Sequence, residues 1–495
     1  MTFLPKHLLV LSIGLMTSTP VFADVTGAQV WQNWKDYLGD LGFDVSASEL
    51  QSDTVLDVTD IVVSFSAADS ADSAEMILSR VIFQDQPDGS VVIGLPDTVP
   101  MAMTTPSVVG GSKTVTATFS QEQAQLVASG EVGNLTYQYA IPRIGMIMDT
   151  ADGTNGMTGR FDLLNLSGTA RSREGVAHRI NQNGTASAIN INMQMKDGAN
   201  RTNTAQFQLD GLTYAFDLTL PKDLDDPDYA GLIAAGMNIS SNFTSRIAEG
   251  STTSTDPLGT TVISNRTNDV RVNTSSNASG MTYNIAYPDA AITLQAPLFP
   301  MPIDITGAQT SISVAMPALA TDEPGDFAVQ VNLQDYVLSD AIWQLFDPTG
   351  QIARDPAKVV IDVTGKANRR EPGARAQLGP SIGGAMRALN INKIDVSAAG
   401  AQLNGAGAFT FDSTDKQTFV GYPRPEGAIE FQLKGGTALL GTLVQLGLLP
   451  QQQMMLAQIV MGMFTIPIGD DHISSKLEVT QEGGILANGQ PLPRF

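Results

Sequence analysis

The stretch "MILSRVIFQDQPDGSVVIGLP", residues 76–96, sets two short runs rich in Val, Ile and Phe on either side of a polar turn containing Asp88-Gly89. Runs of that length and composition, bounded by turn formers, read as antiparallel strands of a meander. The same grammar occupies "TVLDVTDIVVSFSA" (54–67) before it and "KTVTATFSQEQAQLVASGE" (113–131) after it. It predicts a mainly β protein: an extended, twisted, predominantly antiparallel sheet scaffold, which gains length without needing a deeper centre.

Working outward, "VTGAQVWQNWKDYLGDLGFDV" (25–45) repeats apolar residues at spacings of three and four, namely Val30, Trp31, Trp34, Tyr37, Leu38 and Leu41. That spacing predicts an amphipathic helix closed by Gly42, its aromatic stripe packed on the sheet. Three phrases resemble one another: "GNLTYQYAIP" (133–142), "DGLTYAFDLTLP" (210–221) and "SGMTYNIAYP" (279–288). Each is read as a strand that follows a glycine turn and carries Tyr137, Tyr214 or Tyr283. The Ser/Thr/Asn-rich stretch 240–279 admits two readings, solvent-facing strands or a mobile insertion. A division near 290 separates an N-terminal β-rich region, 24–289, from a C-terminal one, 290–495. In the latter, Asp340 is placed to cap a short helix whose Ile342, Leu345 and Phe346 face a core.

The C-terminal region holds a different element. From Thr437, "TALLGTLVQLGLLPQQQMMLAQIVMGMFTIP" predicts two helices broken at Gly447–Pro450, spanning 437–464. Leu440, Leu443 and Val444 share a face in the first; Met455, Ile459 and Met463 recur in the second. These six are the candidates for solid packing or for an apolar groove beneath the segment, lined by Leu440, Leu443, Met455 and Ile459. After them, "SKLEVTQEGGILANGQPL" (475–492) reads as a closing hairpin. Its paired glycines lack the following helix and the GKS/GKT phrase of a phosphate cradle.

Composition fixes the setting. The chain begins with Lys6 and His7, a short apolar run from Leu8 to Met16 and a small-residue exit at Val21-Phe22-Ala23, the order of a secretory signal cleaved after Ala23. The expected location is the periplasm of a bacterium with an outer membrane, or otherwise outside the cell. No later apolar run has the length of a spanning helix, so no stable transmembrane insertion is expected after cleavage. The formal charge is −22, and −23 once Lys6 leaves with the signal, a surface that repels nucleic acid. The absence of cysteine removes disulfides, thiolate catalysis and thiolate metal sites together.

The phrases "VWQNWKDYLGDLGFDV" (30–45), "DYVLSDAIWQLFDPTGQIARDPAKVVIDVTGKA" (335–367), "ALLGTLVQLGLLPQQQMMLAQIVMGMF" (438–464) and "GDDHISSKLEVTQEGGILANGQPL" (469–492) resemble an uncharacterised family of secreted alphaproteobacterial proteins, domain of unknown function family 2125. The resemblance implies an exported β-rich protein and carries no catalytic residues over.

Motifs with chemistry are few. "GPSIG" (379–383) matches a nucleophile elbow around Ser381, but no buried strand precedes it; His178 or His472 would have to serve as base. Ser413 and Lys416 have Ser-Lys spacing inside a polar turn. Asp149, Asp152 and Asn155 in "DTADGTNG" form a weak calcium candidate without the terminal glutamate of a full loop, and Asp223, Asp225, Asp226 and Asp228 form another. No cofactor is expected. The residues point to a non-catalytic structural or interaction protein that shelters an apolar, lipid-like small molecule or docks an envelope protein through 437–464. The alternative is a carboxylate-dependent glycan hydrolase with two carboxyl groups in one cleft.

Overall fold

The computed structural model describes residues 24–66, 73–106, 112–150, 156–197, 201–222, 224, 229–319, 321, 323–368, 386–419 and 422–492. Residues 1–23, where a secretory signal is expected, and the Ser381 phrase lie outside them, as do Asp223, Asp225, Asp226 and Asp228.

Helix α1 (Gly27–Asp40) starts at a capping box: the Thr26 hydroxyl accepts from the Gln29 N–H, and the Gln29 side chain accepts from the Thr26 N–H. Gly42, at φ +84°, ends it. Val30 and Trp31 are buried on the sheet, and Trp34 and Leu38 pack beside them, as the spacing predicts.

The sheet begins with β1 (Asp44–Ser52), β2 (Val55–Ser66) and β3 (Ser73–Asp85). β4 (Val91–Gly94) continues end to end into β5 (Thr98–Pro106), and β6 (Ser112–Glu122) into β7 (Gln125–Glu131), each pair forming one interrupted row. Long strands follow: β8 (Asn134–Asp149), β9 (Met157–Arg173), β10 (Ala177–Asp197), β11 (Arg201–Pro221), then helix α2 (Tyr229–Ala234), β12 (Asn238–Asp256) and β13 (Gly259–Asn277). β14 (Gly280–Tyr287) with β15 (Ala290–Gln295) and β16 (Ile303–Gly307) with β17 (Gln309–Met316) again make single rows. β18 (Gly325–Leu338), helix α3 (Asp340–Phe346), β19 (Ala357–Ala367), β20 (Met386–Ala398), β21 (Ala401–Asp412) and β22 (Arg424–Lys434) lead to the helix pair α4 (Gly436–Gln445) and α5 (Gln451–Phe464). β24 (His472–Val479) then pairs with β22, while β23 (Ile466–Gly469) and β25 (Ile485–Ala487) lie along its other side and β26 (Gln490–Pro491) follows β25. Every pairing is antiparallel, and from β1 to β22 each row joins the next along the chain as one continuous meander; β24 then passes β23 to join β22. Both β14 and β15 pair with β13, so the sheet continues on both sides of residue 290.

The sheet is not flat. α1 reaches Glu49 on β1, Phe83 on β3, Tyr137 on β8, Ser172 on β9 and His178 on β10, and its Tyr37 packs toward Leu218 and Leu220 on β11. A helix of this length spans about 21 Å, whereas nine flat rows would extend roughly 40 Å. The sheet curls around α1, whose Trp34 stands edge-on to both Trp31 and Phe83 while Trp31 tilts against Phe83.

One seam runs across the rows. The strand pairs skip a hydrogen-bonded step at Pro142/Asn165, Ser187/Gly211, Gly211/Arg246 and Arg246/Asp269, and the interruptions between β6 and β7, β14 and β15, and β16 and β17 fall on the same line. Gln123, Asn165, Gly211, Asp269 and Asp335 there have φ between +46° and +63°. Asn, Asp and Gly tolerate that left-handed conformation best, and each such residue bends its strand locally. Gly211 is therefore a mid-strand kink within β11, not the turn expected before "LTYAFDLTLP". Gly133 and Gly280 do sit at hairpin ends.

The hydroxyl-rich stretch 240–279 is strand. β12 and β13 pair from Ile239/Ser276 to Asp256/Gly259. Side-chain hydroxyls bridge its rows at Thr213–Thr244, Ser241–Thr274 and Ser275–Thr282. Such cross-strand pairs stabilise a sheet whose faces offer few aliphatic neighbours. At α3 the expectation is corrected in part: Ser339 occupies the N-cap position and Asp340 is the first helical residue. Ile342 faces inward together with Trp343, while Leu345 is exposed.

Candidate functional site

The segment after β22 carries no Asp, Glu, Lys, Arg or His from Gly435 to Gly469. α4 begins at Gly435, φ +74°, with no side chain of its own to cap it. Asp471 supplies the cap from the far end of the module, its two carboxylate oxygens accepting from the Thr437 and Ala438 N–H groups at 2.9 Å. Burial pushes the Asp471 carboxyl up, but the Ala438 and Thr437 donors hold it below the ordinary range. Gly447 at φ +72° ends α4, and Pro450 precedes α5.

The end of α5 is held as closely. Its last carbonyl, on Phe464, accepts from Ser475 Oγ at 2.7 Å and from Asn488 Nδ2 at 2.9 Å. Asn488 Oδ1 also accepts from the Lys476 N–H. The closing hairpin forms as its sequence predicts, with Leu477 opposite Ala487 and Val479 opposite Ile485. Its Asn488 turn residue doubles as an anchor for a helix end that otherwise has unsatisfied carbonyls.

Between these anchors the apolar side chains divide by face. Leu440, Leu443 and Val444 on α4 are half-buried, as are Met454, Ala457, Met461 and Phe464 on α5, which set the side of α5 turned to the protein. Met455, Ile459 and Met463 point the other way, at 56 %, 55 % and 64 % exposure. The expected groove lined by Leu440, Leu443, Met455 and Ile459 is corrected accordingly: the last two belong to the outer face. Leu456 and Val460 lie beside them, and Ile466 and Ile468 on β23 extend the exposed surface. Sequence reasoning missed these four; the clue was that α5 is apolar around its whole circumference, so one half had to face outward unless something covers it.

Polar constellations lie elsewhere in the fold. Ser172 Oγ lies 2.7 Å from His178 Nε2, and His178 Nδ1 lies 3.7 Å from Asp40 Oδ2, the order of a Ser-His-Asp relay. Ser172 and His178 are 6 % and 1 % exposed beneath α1, which leaves no approach for a substrate. Asn33 joins the same network, accepting from the Tyr137 hydroxyl at 2.9 Å and donating to Glu174. The network ties α1 to β8, β9 and β10. Burial lowers the His178 pKa, against the opposing pull of Glu174 and Asp40.

Ser413 accepts from Arg387 in the turn after β21, where Asp412 accepts from Thr414, so the Ser413–Lys416 phrase is a tied turn. Asp149 ends β8, and Asp152 and Asn155 lie outside the described residues. Among the described residues no group of three or more His, Asp or Glu side chains is placed to hold a metal ion. An open cleft of about 580 Å³ crosses β10 to β15, lined by amides and hydroxyls including Asn190, Asn192, Gln206 and Ser251. Its one lining carboxylate, Glu249, is paired with Arg266. Among the described residues no helix is long and apolar enough to cross a membrane.

No protein-family model, curated protein or solved structure matches the chain.

Proposed function

We propose that the chain is an exported, non-catalytic interaction protein of the periplasm, a curled β frame that presents residues 436–469 to an apolar partner. The observation that carries this reading is the outward exposure of Met455, Leu456, Ile459, Val460, Met463, Ile466 and Ile468 on an uncharged module of an otherwise acidic chain. Contiguous apolar surface of several hundred Å² marks an interaction site on a soluble protein. The leader at 1–23 supports export, and the resemblance to the uncharacterised secreted family agrees with it. The burial of the Ser172–His178 pair and the single carboxylate lining the polar cleft favour binding over hydrolysis, which would use two carboxyl groups about 5 to 9.5 Å apart. A ligand sheltered beneath the helices would touch Leu440, Leu443 and Val444 instead of the exposed ridge.

The test is binding of an environment-sensitive anionic naphthalene dye to the chain and to a Met455→Ser/Ile459→Ser/Met463→Ser variant. The proposal expects saturable fluorescence enhancement that the variant loses while its melting curve stays in place. Equal enhancement by both proteins would assign the dye to another surface and remove the module from the function.

A further inference from the structure

Resting on the module as an exposed apolar surface, we infer that its occupant is a lipid surface with neutral or zwitterionic headgroups, on which α5 lies flat with its outer face among the acyl chains.

Interfacial helices that seek anionic membranes carry Lys and Arg along the polar face. α5 has Gln451, Gln452, Gln453 and Gln458 instead, and no ionisable group stands between Gly435 and Gly469. With a chain charge of −22, an anionic surface is repelled at long range. Neither attraction nor a local desolvation penalty on charge enters when this module meets an uncharged headgroup layer, so apolar contact alone decides the binding.

Shape distinguishes a lipid layer from a folded partner. Met455, Ile459 and Met463 follow one line along α5, Leu456 and Val460 the next, and Ile466 and Ile468 project from the β23 edge strand. This is a convex ridge on a helix, and its methionines adapt to irregular surroundings. A protein partner has to bring a matching apolar groove; an acyl layer conforms to the ridge. Of a second copy's described clefts, the one across β10 to β15 is lined largely by amides, hydroxyls and charged groups, and those across β8 to β11 and β17 to β20 are open and set Ile147, Met193 and Phe327 among Arg160, Asp326 and Lys366. Length settles the depth. α5 has 14 residues, about 21 Å, whereas a span needs some 20 apolar residues, and a helix lying in the interface sinks only about 5–10 Å. Asp471 and Asn488 pin the two ends of the module to the sheet, so the ridge is already ordered before it meets the surface.

The chain has no cysteine, so a single label can be placed at will. Ile459→Cys on the ridge and Leu50→Cys on β1, exposed at 71 %, each receive a nitrobenzoxadiazole fluorophore. The proteins are mixed with phosphatidylcholine vesicles, and with vesicles that also contain phosphatidylglycerol, at low and high salt. The expected result is co-flotation with phosphatidylcholine, a blue shift at 459 and none at 50. Binding should be indifferent to salt on neutral vesicles, weaker on anionic vesicles at low salt, and reduced roughly tenfold or more in the Met455→Ser/Ile459→Ser/Met463→Ser variant. Flotation only with anionic vesicles, or none at all, overturns the lipid assignment. A vesicle-independent shift at 459 that tracks dimer formation in sedimentation assigns the ridge to a second copy, overturning the lipid surface while leaving an apolar interaction module standing. A label at 459 already shielded in a sedimenting monomer overturns the exposed module itself.

Discussion

The hydroxyls of Tyr139 and Tyr214 meet at 2.5 Å across two intervening strands. In register, Tyr139 on β8 faces Gly168 on β9, Gly168 faces Gly184 on β10, and Gly184 faces Tyr214 on β11. The rings reach toward one another over the two glycines, where a Cβ would stand 2.6 Å from each hydroxyl and 2.2 to 2.4 Å from a backbone oxygen. Gly184→Ala should therefore cost about 1–3 kcal/mol through overpacking. Tyr214→Phe should cost only about 0.5–1.5 kcal/mol, because the Tyr139 hydroxyl still accepts from Gln182. Urea midpoints at constant slope give both values.

At the seam, substitution should sort by backbone tolerance more than by contact. Asn165 sits at φ +51° on an exposed position of β9. Asn165→Gly should shift stability by a few tenths of a kcal/mol at most, whereas Asn165→Val should cost about 1–2 kcal/mol, the strain of a β-branched residue in the left-handed region. A thermal-melt series at this one site measures the difference.

The helix α1 should be decisive for the curled half of the sheet. Trp31 is 2 % exposed, packs on Phe83 and donates its indole N–H to Glu49 at 2.6 Å. Trp31→Ala should destabilise by roughly 3–5 kcal/mol, read as a lowered urea midpoint together with loss of the near-ultraviolet circular dichroism of the Trp31/Trp34/Phe83 cluster.

His178 should make stability fall on the acid side. Burial holds its folded pKa below the unfolded value, which is about 6.5. As pH drops below that unfolded value the unfolded chain takes up the proton first, so the native state loses stability; above it both states are neutral and the effect vanishes. Glu174 and Asp40 oppose the shift and Lys222 adds to it. The melting temperature should decline between pH 7 and pH 5, and His178→Asn should flatten that slope.

Asp471→Ala should loosen the module without unfolding the sheet. It removes the carboxylate that accepts from Thr437 and Ala438, a cap worth about 0.5–2 kcal/mol. Hydrogen exchange should quicken across 437–464 and stay slow in β8 to β11. Because the folded carboxyl titrates below its ordinary range, the cap persists above the unfolded pKa near 3.9 and is lost as pH falls through the lower folded value.

The parts of this fold written in short-range chemistry were legible in the chain. The spacing of Val30, Trp31, Trp34 and Leu38, the stop at Gly42, the break between α4 and α5 and the turn at Asn488-Gly489 each depend on neighbours within a few residues. The seam was not. Gly211 in "QLDGLTY" has the local chemistry of a hairpin turn, and only the strands on either side of β11 decide that the chain continues through it as one kinked strand. Nor did spacing give the outward face of α5, since both of its faces are apolar. Its rotation is set by Ser475 and Asn488 at Phe464 and by the half-buried Met454, Ala457 and Met461. The Ser172–His178–Asp40 alignment was equally hidden, because its members lie on two strands and a helix.

The meander also acts as a gauge. Because the rows from β11 to β22 follow chain order and β24 joins β22, the contour between β11, where α1 ends its reach, and β24, which anchors the helix pair, is a fixed number of rows. At about 4.8 Å per row that contour is roughly 50 Å, and a related chain can change it only by whole hairpins, in increments of roughly 10 Å. A single extra strand would send the chain back in the opposite direction and deliver α4 and α5 to the other rim of the sheet.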